Sequence, residues 1–91
     1  MNILSDKELI NIINNLVEEK IKINKEFLRF SFYEVMIKEK IPERQENDFL
    51  QLARTKLTNI GYSVFVNRQE YVYNDVKMKV QINELLIAIK K

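Results

Sequence analysis

The chain carries no His, no Cys and no Trp, and it has a single Gly, Gly61. Zinc sites built on thiolate or imidazole are thereby excluded. So are nucleophilic triads that depend on His and sites that depend on a thiol. A phosphate-cradling loop or a dinucleotide fingerprint needs several glycines at fixed spacing. The chemistry left open is a hard metal held by carboxylates, or an unusual Lys or Tyr site. Glu43, Glu46 and Asp48 form an acidic cluster that a metal-dependent nuclease would need. They fall at an expected helix start, where the dipole alone favours negative charge. Binding rather than catalysis is therefore the expectation, with no catalytic residue, no metal and no cofactor.

The side chains suited to binding are Arg44, Asn47, Gln51, Arg54, Thr55 and Thr58. Arg pairs with guanine, Asn or Gln with adenine, and Thr with phosphate or a thymine methyl. At helical spacing the six share one side, which suits the major groove of double-stranded DNA. A solvated helix face has the same composition. The three nearby acids count against insertion, because they would meet phosphates at the end that usually enters first.

These residues need elements to hold them. Ser5-Asp6-Lys7-Glu8 has the form of a capping box. Leu9, Ile12, Ile13, Leu16 and Val17 follow on one face, so a first helix is predicted over residues 6–20. Ile21-Lys22-Ile23 alternates as a small strand would, and Asn24 reads as an N-cap. Residues 25–40 are predicted as a second helix. Leu28, Phe32, Val35 and Met36 form one apolar side, and Phe30, Tyr33 and Ile37 another, as in a helix buried between layers. Pro42 breaks the pattern and suits the first turn of the next helix. The third helix is predicted over 43–59, with Phe49, Leu50, Ala53, Leu57 and Ile60 inward and Gly61 as its C-terminal cap. Beyond Gly61 the period falls to two. Strands are expected at 62–66, around Tyr71 and Tyr73, and at 76–82, with turns at Asn67-Arg68-Gln69 and Asn74-Asp75. Asn83 then caps a short last helix through Leu85, Leu86 and Ile89.

At 91 residues the chain makes one domain, spanning 1–91. Its 46% hydrophobic and 31% charged residues describe a soluble globular protein. It has no apolar run of membrane-spanning length and no signal-peptide pattern, and the missing Cys fits a reducing, cytoplasmic setting. The net charge is +2 and uneven. Residues 1–19 carry one base against four acids, and residues 20–40 carry six bases against three acids. A sequence pI near 8.9 and this asymmetry suit a polyanion partner. The excess of Lys, Ile and Asn suggests an A+T-rich bacterial genome or its plasmids and phages.

Three helices, a tight turn at Lys40-Ile41-Pro42 and a β segment after the third helix resemble a winged helix-turn-helix. The likeness covers nearly the whole chain and lies in the order of elements. It implies an α+β fold: three helices, then a β-hairpin or three-strand meander, then a short C-terminal helix. It also puts Asn67-Arg68-Gln69 or Asn74-Asp75 at the tip of a wing, where Arg68 would enter a minor groove. Lys77 and Lys79 would follow phosphates from one strand face, although lysines there also protect an exposed edge. The implied function is a double-stranded DNA-binding protein, either a transcription regulator or a plasmid or phage DNA-processing accessory factor. A homodimer is compatible with this, through the first helix or the C-terminal apolar residues; no membrane or small-molecule partner is expected. The alternative is a protein–protein interaction module, such as a phage-encoded inhibitor or an assembly subunit, which would expose an apolar patch.

Overall fold

The computed structural model describes residues 3–72 and 80–91, with side chains described for all of these except 33, 68–72 and 80–84. The elements run α1 (Asp6–Ile23), β1 (Phe27–Ser31), α2 (Phe32–Lys38), a 3₁₀ turn (Glu43–Gln45), α3 (Glu46–Asn59), β2 (Tyr62–Val72) and β3 (Val80–Lys90). The fold is thus α+β. Among the described residues no helix is long and apolar enough to cross a membrane.

The capping box at the start of α1 forms as its sequence predicts. The Glu8 N–H donates to Ser5 Oγ at 3.2 Å, and the Ser5 N–H donates to the Glu8 carboxylate at 3.3 Å. The helix continues through Ile21-Lys22-Ile23, where a strand was expected, because Ile21 extends the inward stripe by one turn beyond Val17 and packs on the core. Asn24 caps no following helix. Its Oδ1 accepts from the Glu26 N–H at 3.0 Å, and this Asx turn leads into β1.

The predicted second helix divides in two. Residues 27–31 form a strand whose burial alternates, with Leu28 and Phe30 inward, and only residues 32–38 are helical. The two apolar sides read on a helical wheel belong partly to a pleat. The hydrogen bonds that make β1 a strand come from β3, far along the chain, so local periodicity did not disclose them.

α2 ends in a Schellman motif. The Ile41 N–H donates to Met36 O at 2.9 Å and the Lys40 N–H to Ile37 O at 3.3 Å. Lys40 holds the left-handed position, φ 56°, usually given to Gly, and Ile41 is buried behind it. Pro42 then leads through the 3₁₀ turn into α3. At the far end of α3, Gly61 takes φ 94° and turns the chain into β2, as expected of a C-terminal glycine.

The sheet is antiparallel with order β1-β3-β2. It is not a meander after the helices, since its third strand precedes α2. Nor is there a C-terminal helix: residues 80–90 are β3, the central strand. The run Leu85-Leu86-Ile87-Ala88-Ile89 is apolar at every position, as befits a strand lying between two neighbours, and it mimics a helical run. The proposed turn at Asn67-Arg68-Gln69 lies inside β2, where these residues pair with Leu85, Glu84 and Asn83. Tyr73 and the Asn74-Asp75 turn fall outside the described residues.

The helices cover one face of the sheet. α1 packs on α3 and β1, α2 on β3, and α3 on β2. Leu9, Ile13 and Val17 from α1 meet Phe49, Ala53 and Leu57 from α3 over Leu28, Phe30, Leu86 and Ala88 of the sheet. Phe32 meets Phe49 edge-on, with centroids 5.5 Å apart and planes at 84°.

Candidate nucleic-acid interface

The inward stripe of α3 fixes where its polar side points. With Phe49, Ala53 and Leu57 buried, Asn47, Gln51, Arg54, Thr55 and Thr58 fall on the opposite side, and all five are exposed. At 100° per residue they occupy an arc of about 100°, and from Asn47 to Thr58 they extend about 16 Å along the axis. Arg44 is exposed in the 3₁₀ turn just before the helix. The six residues are thus carried by one continuous stretch, and none is needed by the core.

Lys38 and Lys40, both exposed, flank the turn that delivers α3. They bring two cations close in sequence to Arg44 and to the exposed Glu43 and Asp48. Sequence reading counted these lysines in a basic stretch without giving them a role. The α2–α3 turn is the signal that singles them out.

The other cations of that stretch are dispersed. Lys20 places its ammonium 5.9 Å from the centre of the Phe30 ring. Arg29 is exposed on the sheet face away from the described helices. Lys25, with Lys56 and Lys90, lines a cleft of about 440 Å³ between α1, α3 and the sheet. Lys56 belongs to α3 but sits on the α1 side of it, away from the polar arc. The positive charge of residues 20–40 therefore does not form one continuous platform with α3.

Arg68 has its backbone within β2, paired with Glu84. Lys77 and Lys79 lie outside the described residues. Among the described residues no group of three or more acids is arranged to hold a metal ion.

Two buried contacts hold the interface in place. Gln45, only 6% exposed, clamps the chain entering α1: its Oε1 accepts from the Leu4 N–H at 2.9 Å, and its Nε2 donates to Leu4 O at 2.7 Å. This ties the start of α1 to the start of α3. At the other end, the Tyr62 hydroxyl donates to Lys25 O at 2.6 Å, tying β2 to the α1–β1 turn. Neither contact has a sequence signature, since the partners are 41 and 37 residues apart. Comparison with family models, with curated proteins and with solved structures finds no match to this chain.

Proposed function

We propose that the protein binds double-stranded DNA as a winged helix, acting as a transcription regulator or as a plasmid or phage DNA-processing accessory factor. The observation that carries this reading is the exposed arc of Asn47, Gln51, Arg54, Thr55 and Thr58 on α3, with Arg44 ahead of it. Two features support it. The order of elements, with a strand between α1 and α2 and a hairpin after α3, is the order of a winged helix-turn-helix. The sheet order β1-β3-β2 sets the long β2–β3 ribbon beside α3, where a wing would stand.

In this reading α3 enters the major groove. Arg54, Asn47 and Gln51 read base edges; Thr55, Thr58 and Arg44 bind phosphates or methyls. Lys38 and Lys40 at the preceding turn meet the backbone. Arg68, whose backbone lies in β2, and Lys77 and Lys79, which fall outside the described residues, contribute further contacts. No cofactor and no catalytic step enter this reading.

Fluorescence anisotropy on labelled duplexes tests the division of roles. Arg54→Ala is expected to reduce discrimination between sites, at about 1–3 kcal/mol for a lost bidentate pair. Lys77→Ala is expected to weaken all duplexes alike and to lower the salt slope by about one. If neither substitution changes affinity, the assigned contacts are wrong.

A second reading, a protein–protein interaction module without DNA binding, is favoured by one observation. The sheet face away from the described helices carries an apolar cluster, with Phe27, Phe65 and Ile89 exposed. Retention on heparin or random-sequence DNA, lost as salt rises, favours the first reading; no retention at low salt favours the second.

A further inference from the structure

The register of the sheet fixes which side chains share its outer face. Three rows cross β1, β3 and β2 there: Phe27–Ile89–Ser63, Arg29–Ile87–Phe65 and Ser31–Leu85–Asn67. The middle strand gives only aliphatic residues. Phe27 is 43%, Phe65 55% and Ile89 44% exposed. Leu28, Phe30, Leu86 and Ala88 supply the core from the other face, and none of the described helices covers Phe27, Phe65 or Ile89.

We propose that two copies of the chain pack face to face through these rows, about a two-fold axis running along β3. Such an axis lays each row on its own reverse. Ile87 meets the partner's Ile87, and Leu85 and Ile89 likewise meet their equivalents. The flanks then match by size and charge. Phe27 lies over the partner's Ser63, and Arg29 lies over the partner's Phe65, a cation on an aromatic face. The other two-fold arrangement, with its axis across the strands, stacks Arg29 on its own copy and is disfavoured by like charge. Arg29 is the one charged residue on the three rows, so the matching rests on it and on the alternation of large and small residues.

The area fits a reversible dimer. At ~200 Å² for a whole large side chain, Phe27, Phe65 and Ile89 leave about 280 Å² open. With Arg29, Asn67 and the partly exposed Ser31, Ser63, Leu85 and Ile87, the face comes to about 500 Å² per copy, or about 1,000 Å² for the pair, the lower bound of specific interfaces. Its apolar part is of the size of the largest patch on a typical monomer, a size often tied to binding. The polar arc of α3 faces away from this surface, so the dimer stands or falls independently of DNA binding.

Sedimentation velocity over a concentration series tests the proposal. The wild-type chain is expected to pass from monomer to dimer with a Kd of about micromolar order. Ile87→Asp sets two like charges together on the axis and is expected to raise that Kd about 100-fold or more. Phe65→Ser, at the most exposed apolar position of the face, serves as the second variant if Ile87→Asp loses its fold by circular dichroism. In a chain without native Cys, Ile87→Cys is expected to crosslink to itself with a short bismaleimide, and Gln51→Cys on α3 is not. A wild-type chain that stays monomeric at about 1 mM would overturn the proposal and leave the face to a different protein. A dimer that ignores Ile87→Asp and Phe65→Ser would overturn it by moving the contact elsewhere.

Discussion

Gln45 shows how one side chain can set the position of a whole interface. Its amide satisfies both the N–H and the C=O of Leu4, and it is buried at the junction of α1 and α3. Gln45→Ala removes both partners of a half-buried backbone group and is expected to cost about 1–3 kcal/mol, measured by urea unfolding. Tyr62→Phe removes the hydrogen bond to Lys25 O while keeping the ring packed, and about 1 kcal/mol is expected. Exposed positions behave differently. Arg54→Ala and Gln51→Ala should leave stability within about 0.5 kcal/mol while changing DNA recognition. That Asn47, Gln51, Arg54, Thr55 and Thr58 share one exposed side of α3 was legible because a helical wheel needs only local spacing; Arg44 lies in the 3₁₀ turn before it. The clamps were not, because each joins residues about forty positions apart.

At the scale of elements, two turns carry the geometry. Lys40 occupies a left-handed position in the α2–α3 turn. Lys40→Gly is expected to stabilise the fold by up to about 1 kcal/mol, read as a rise in Tm, because a side chain there is strained. The opposite change at the end of α3, Gly61→Ala, meets no atom within 4 Å, so its expected cost of about 1 kcal/mol comes from φ alone. α1 and most of α3 were readable from the sequence, through the capping box of α1, Gly61 after α3 and their apolar stripes; α3 begins at Glu46 after a 3₁₀ turn rather than at Glu43, and Ile60, predicted inward, is exposed. β1 with α2, and β3, were misread for one reason: their residues are apolar on more than one side. Phe27 to Ser31, running on into the apolar start of α2, and Leu85 to Ile89 present helix-like density of apolar residues, and pairing of β1 with β3 makes Phe27–Ser31 and Leu85–Ile89 strands. Those two segments meet each other in the fold, so the missing information for each was the other.

At the scale of the molecule, charge is the question. The six bases of residues 20–40 divide among an aromatic ring (Lys20), the exposed last turn of α1 (Lys22), a cleft (Lys25), the outer sheet face (Arg29) and the α2–α3 turn (Lys38 and Lys40). Of these, only Lys38 and Lys40 lie beside the start of α3, where Arg44 adds one more and Glu43 and Asp48 oppose them; Arg54 stands about two turns further along the helix. DNA affinity should therefore depend moderately on salt. With three cationic phosphate contacts (Lys38, Lys40 and Arg44), or up to five if Lys77 and Lys79 take part, the slope of log K against log salt is expected between about −2.5 and −4.5. Selection of bound fragments from a pool of random duplexes, run in parallel with wild type and Arg54→Ala, tests most directly whether α3 reads DNA. Wild type should enrich a recurring motif, and Arg54→Ala should lose preference at one or two of its positions. A wild-type pool that stays random through successive rounds, or a motif unchanged by Arg54→Ala, would contradict this.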